Sequence, residues 1–160
     1  MKDQKNQSVI HSTFVIERSY PKTPERVFSA FASAPQKCRW SFEGGKTEVE
    51  KHELDFREGG SEHAQLRFKE DSPFPGVTLI TDTSYLDIKP NQRIVTSSTM
   101  TLGENRISAA LVTFEFIPTE KGTDLICTHQ GAFFEGSGGP EMREQGWRKI
   151  LENLDKELAH

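Results

Sequence analysis

No stretch of this sequence approaches the ~18 consecutive apolar residues that a membrane-crossing helix needs, so a helical span is excluded. Cysteine is scarce. Cys38 and Cys127 stand far apart, outside any C-x-x-C arrangement, and make no disulfide framework. Positive charge holds no excess: the formal net charge is −4, and no basic patch marks a nucleic-acid or anionic-membrane partner. The opening MKDQKNQSVIHST lacks an apolar core, so no secretory signal is read there. No G-x-S-x-G elbow anchors a hydrolase triad. The GSGG at Gly136–Gly139 lacks the Lys-Ser/Thr of a phosphate loop. These absences point to a reduced, cytoplasmic, soluble protein that neither binds nucleic acid nor inserts into membranes.

What is present is aromatic surface. Eleven Phe, 2 Trp and 2 Tyr lie in 160 residues, of which 34% are hydrophobic and 28% charged. That is enough for one domain with a real core. Residues 1–11 read as a polar, disordered tail and 12–160 as a single domain.

Ser12–Tyr20 is rich in β-formers and predicts a strand. In KTPERVFSAFAS, Thr23 is placed to cap a helix whose first residue, Pro24, needs no N–H partner. Val27, Phe28 and Phe31 give it one apolar face. A second short helix restarts after Ser33 and is expected to end near Arg39–Trp40. From Thr47 to Ala132 the apolar residues alternate in runs broken by turn signals. Six strands in a meander are expected there. Gly59 and Gly60 read as a bulge or tight turn. The order is strand, two short helices, six strands, long helix. An antiparallel sheet with one apolar face needs a cover, and only the last helix is long enough.

That helix closes the chain as EQGWRKILENLDKEL, Glu144–Leu158. At ~100° per residue, Trp147, Ile150, Leu151, Leu154 and Leu158 fall within an arc of roughly 100°. Arg148, Lys149, Glu152 and Lys156 lie away from it. Gly146, at the stripe's edge, costs about 1 kcal/mol in a helix interior. It is read as letting the helix approach the sheet or a loop closely.

His52 and His63 flank a strand pair, with Glu53 and Glu62 beside them. These are zinc-type donors, but their spacing matches no compact ligand motif, so they are read as surface histidines and no metal is expected. EVEKHELDFRE is read as one solvated face.

TPERVFSAFASAPQKCRW, LDFREGGSE, VTFEFIPTEKGTDLICTHQGAF and GWRKILENL, in this order and spacing, resemble a known family. It comprises proteins similar to the C-terminal domain of the activator of the heat-shock-protein-90 ATPase. It lies in the SRPBCC superfamily, with START lipid-transfer domains, birch-pollen-allergen-like proteins and polyketide cyclases. The resemblance runs from about Ser12 to Leu158. It implies an α+β helix-grip fold: a curved antiparallel sheet of about seven strands, β-α-α-β6-α, wrapped around a long C-terminal helix. It also implies a cavity between sheet and helix, often used for hydrophobic ligands, and no cofactor.

Strand parity puts Ala110, Val112, Phe114 and Phe116 on one face. Leu125, Cys127, His129 and Gly131 share another, which the family pattern turns inward. The expected ligand-lining residues are Trp40, Phe56, Tyr85, Val112, Phe114, Phe116, Cys127, His129 and Trp147. His129 is a polar anchor for a ligand carbonyl or hydroxyl, or a histidine satisfied by a neighbour. In a cyclase-like enzyme it is the candidate catalytic acid or base. The first expectation is a protein that binds a small apolar or amphipathic molecule. An enzyme, or a stress-related chaperone accessory, is the alternative. The co-chaperone uses a separate N-terminal domain for which this chain has no room, so a chaperone partner is the weaker expectation. Monomer and homodimer both remain open.

Overall fold

The structure, a computed structural model, describes residues 9–160. The first strand, β1, is Ile10–Tyr20. It starts two residues earlier than the sequence suggests, so Ile10 and His11 are strand rather than tail. The rest of the expected tail, residues 1–8, lies outside the described residues. Two short helices follow, α1 (Pro24–Ala32) and α2 (Ala34–Phe42). Thr23 caps α1 by accepting the Arg26 N–H at 3.2 Å, and Pro24 takes its first position. Ser33 serves both helices. Its N–H closes α1 on the Ser29 carbonyl at 3.1 Å, and its hydroxyl accepts from Gln36 N at 3.4 Å to open α2. The α2 helix runs past Trp40 to Phe42, because the Glu43 N–H still finds the Arg39 carbonyl.

Then come β2 (Thr47–Leu54), β3 (Ser61–Phe68), β4 (Thr78–Lys89), β5 (Arg93–Leu102), β6 (Asn105–Thr119) and β7 (Gly122–Phe133). The seven strands form one antiparallel sheet in the order β1-β7-β6-β5-β4-β3-β2. The meander is local, whereas β1 travels to the far edge to pair β7 from Ile10↔Phe133 to Tyr20↔Thr123. Register shifts at Val49/Lys51, Tyr85/Asp87 and Met100/Thr101 bend the sheet. Gly60 belongs to a tight turn, since a Cβ there would collide with the Asp55 carbonyl oxygen.

The last helix, α3, is Pro140–Leu158. Leu151, Leu154 and Leu158 are fully buried, and Trp147 and Ile150 pack beside them. Its main neighbour is α2, with smaller contacts to α1 and β1. Three polar contacts fix its C-terminal half. The Tyr20 hydroxyl donates to the Leu151 carbonyl at 2.7 Å. Arg39 grips the Glu157 carboxylate through Nε and Nη2, at 3.0 and 2.8 Å. Arg26 reaches the Glu157 carbonyl at 3.4 Å. This is the helix-grip arrangement. Gly146 does not do what the sequence suggests. It is exposed, and a Cβ there would meet nothing within 4 Å. At this end of the helix the Trp147 ring reaches the sheet, 5.7 Å from that of Phe114.

Because α3 is held by its apolar stripe, Leu154→Ala is expected to destabilise the protein by about 2–5 kcal/mol. Lys149→Ala, on the exposed side, should stay within about 0.5 kcal/mol. Equilibrium urea unfolding followed by circular dichroism checks both. Equal effects would mean that the helix is not seated through this stripe.

Candidate functional site

The side chains expected to line a hollow fill it instead. Trp40 donates its indole N–H to the Ala30 carbonyl at 2.9 Å and packs edge-on against Phe31. Phe31 meets the rings of Phe114 and Phe116. Phe56 lies edge-on between Phe28 and Tyr85. Val112, Cys127 and His129 are buried in the same inner face, and Trp147 covers Phe114. Burial pushes the Cys127 thiol up to about 12, so it acts as a small apolar group. These residues are core, and the space expected among them is a packed cluster of aromatic edges and faces.

The open space lies one step along the strands. A hollow of about 860 Å³ crosses the sheet at a single level from β1 to β3. Its lining includes Ser12, Gly131, Ala110, Ser98, Thr83 and Glu62. Each stands opposite the next in the strand pairing, so they form one cross-strand row. Parity puts this row on the same face as Phe14, His129, Val112, Thr96 and Tyr85, which form the next row toward the core. All of the second row are buried, whereas Ser12, Gly131, Ala110, Ser98 and Thr83 are only half-buried. The residues that flank this row in each strand, among them His11, Thr13, His63, Asp82, Ala109 and Leu111, also line the hollow and point to the opposite face, whereas Phe14, His129, Val112, Thr96 and Tyr85 do not line it; the hollow therefore opens on the outer face of the sheet, with the backbone of this row beneath it. None of the residues expected to line the cavity lines this hollow.

Two polar groups border the row. At the β7 side, His129 is 1% exposed and its Nδ1 has no hydrogen-bond partner among the described residues. Its ring stacks on Phe14, with centroids 4.6 Å apart, and on Phe133 at 5.7 Å. Gly131 makes room for this, because a Cβ there would come within 2.8 Å of both the His129 and Phe133 rings. Arg143 of α3 lies over the Phe133 ring at 5.3 Å and donates to the Ser108 hydroxyl at 2.9 Å. Burial, then the Arg143 charge, lower the imidazole pKa to about 4, so the ring is neutral at pH 7. Burial alone brings the guanidinium down to about 10.

At the β3 side, Glu62 is buried but satisfied. Lys37 of α2 meets one carboxylate oxygen at 2.6 Å, and His52 of β2 meets the other at 2.8 Å. Burial works to raise this carboxyl, but the Lys37 charge and the hydrogen bonds from His52 and Lys37 outweigh it and bring it to about 2. The trio ties α2 to the sheet. His52 is therefore not a surface histidine, although it sits in the charge-rich run expected to be solvated. His63 points to the opposite face and pairs with Asp82 at 2.6 Å. The two histidines do not converge, and no metal-binding group of three or more such side chains occurs among the described residues.

Arg143 and Glu62 are not among the expected site residues, yet each leaves a signal. Arg143 precedes Trp147 by four residues, which puts a cation on the apolar stripe of α3. Glu62 shares parity with Ala64 and Leu66, which puts a carboxylate in an inward row.

Glu62→Gln separates the two roles of charge here. The folded-state carboxyl lies below its ordinary 4.5. Its stabilising contribution is fully present above that pH and is lost as pH falls through about 2. The variant leaves Lys37 buried without its counter-charge and should lose about 3–5 kcal/mol at pH 7. It should also lose less stability than the wild type on acidification. Urea unfolding at a series of pH values tests this, and parallel acid profiles for the two proteins would refute it.

The family model described as "Activator of Hsp90 ATPase homolog 1-like protein" matches residues 21–159. Among solved structures, the Mll3558 protein from Rhizobium loti is 44% identical with a TM-score of 0.80, covering 94% of this chain and 99% of that one. An uncharacterised protein from Rhizobium leguminosarum is 36% identical with a TM-score of 0.87, over 95% and 97% of the two chains. An AHSA1-like protein from Aeromonas hydrophila, at 18% identity and a TM-score of 0.67 over 92% of each chain, shares the fold. No curated protein matches the sequence.

Proposed function

The chain belongs to the family of Activator of Hsp90 ATPase homolog 1-like proteins, and from that premise we propose that it binds a small amphipathic molecule in the hollow that crosses its sheet. The observation that carries this reading is the hollow itself, which takes three successive residues from each of six strands, β1 and β3 to β7. Its lining is mostly small Ser, Thr, Ala and Gly residues, with Leu111 as the one large apolar side chain and His11, Glu62, His63 and Asp82 as the few ionisable groups, and a concave space with a small number of placed polar groups is a usual feature of ligand sites. The volume of about 860 Å³ falls within the ordinary range for such sites, about 300–1,000 Å³. Binding is favoured over His129 catalysis. An imidazole with its pKa near 4 carries almost no proton to donate at pH 7 and is a weak base. Its neighbour Arg143 is a cation and cannot serve as a paired base.

A thermal-shift screen against fatty acids, fatty alcohols and aromatic acids tests the reading. A ligand at 100 times its Kd stabilises by about 2.7 kcal/mol, which for a chain of this size raises Tm by roughly 5–10 °C. Ser97→Phe, which fills the hollow from β5, should abolish the shift while leaving the folded circular dichroism spectrum intact. No shift across the panel, or an undiminished shift in the variant, would overturn it.

A further inference from the structure

Resting on that reading, we propose that the head of the ligand is an uncharged, multiply hydroxylated group such as a sugar ring, seated on β3–β5, with the apolar body lying toward β6 and β7. Polarity is divided along the hollow in just this way. On the outer face of β3, β4 and β5, His63, Asp82 and Thr99 stand opposite one another in one row, and Ser61, Ser84 and Ser97 in the next. All six line the hollow, and all six carry polar side chains. Where the same two rows continue onto β6 and β7, they present Ala109 and Ala132 in one, and Leu111 and Gln130 in the other. These four also line the hollow. A wholly polar end therefore passes into a mainly apolar one, and an amphipathic molecule has one orientation that matches both.

The donors and acceptors of the polar end select the class of head group. Among the described residues, its six side chains make one hydrogen bond, between His63 Nδ1 and Asp82 Oδ1 at 2.6 Å. The hydroxyls of Thr96 and Ser108, on the inner face, are by contrast engaged within the protein. An ionised carboxylate only accepts. The bonded Nδ1 therefore carries the proton, which leaves Asp82 Oδ2 as an acceptor and, on the neutral ring, Nε2 as another. Beside them are four Ser/Thr hydroxyls that both donate and accept. A ligand hydroxyl also does both, so a set of them suits carboxylate, imidazole and hydroxyls together. An anionic head would be repelled by Asp82 and by Glu53, which stands opposite His63. An ammonium only donates, and would leave the donor side of the four hydroxyls unused. Strand spacing and rise make the six positions span about 10 by 7 Å, an area that a ring bearing several hydroxyls covers and a single hydroxyl does not.

The experiment keeps one tail and changes the head: hexyl β-D-glucoside, 1-hexanol, hexylammonium and hexanoate are titrated into the full chain by isothermal titration calorimetry. The glucoside is expected to bind about 10-fold or more tightly than each of the other three, through its added hydrogen bonds. Asp82→Ala should bring the glucoside within about 3-fold of hexanol, while Asp82→Asn keeps part of the preference. Leu111→Ser should weaken glucoside and hexanol by a similar factor, about 3-fold or more. Asp82 and Leu111 are both exposed, and circular dichroism and Tm verify that each variant is folded. Equal binding of glucoside and hexanol, tighter binding of either charged probe, or a full glucoside preference in Asp82→Ala would each overturn the head group. Unchanged binding of both probes in Leu111→Ser would overturn the orientation. If the glucoside fails while fatty alcohols still raise Tm, this inference falls and the ligand site stands; failure of every probe in both experiments overturns both readings.

Discussion

The inner face of the seven-stranded sheet must be covered, and the three helices supply the cover. Leu151, Leu154 and Leu158 of α3, with Val27, Phe28 and Phe31 of α1 and Trp40 of α2, bury the rows that hold Phe116, Phe114 and Val112. Each fully buried side chain of this kind contributes about 1.5–3 kcal/mol against exposure, so this end of the sheet carries most of the fold's stability. The clamps of Arg39 on Glu157 and Tyr20 on Leu151 lie at the same end. One row beyond Val112 the side chains become small, and one row further Ser108 and Phe133 are buried again beneath Arg143 of α3.

The polar groups divide along the same line. Glu62 has a partner on each oxygen, from α2 and from β2, so it works as a fastening between layers. His129 and Arg143 differ: one has an unpartnered buried nitrogen, and the other a cation facing only a hydroxyl and a ring. A buried unsatisfied polar atom costs about 1–3 kcal/mol. A fold whose core end is fastened by three leucines and a bidentate ion pair can carry that deficit. Groups that have no such partners among the described residues differ in kind from Glu62.

Much of the fold was legible in the sequence because it rests on local signals. Thr23-Pro24 and Ser33 announce helix starts, the glycine- and proline-containing turns separate the strands, and the five-residue stripe of α3 names its buried face. The site was less legible. Strand parity identified the inner face correctly in β6 and β7, but parity says which way Val112 and Phe114 point and not whether space remains in front of them. That depends on how far α1 and α2 extend over the sheet, a long-range property. The expectation for Gly146 failed for a related reason, since a glycine's lack of Cβ permits close approach without requiring it. His52, read as solvated from its charged neighbours, is buried because Glu62 and Phe42 approach it from elements distant in sequence.

Gly131 brings fold and site together. It is the smallest member of the open row, and its missing side chain lets the His129 and Phe133 rings lean toward each other across it. Those rings in turn hold the two groups that lack partners: the imidazole directly, and the guanidinium through the face of Phe133. A larger residue at 131 would force the two rings apart. The local sequence requirement, the packing of two aromatic rings and the placing of the two unpartnered groups therefore converge on a single position in β7. Its constraint arises from the close approach of side chains, not from backbone conformation.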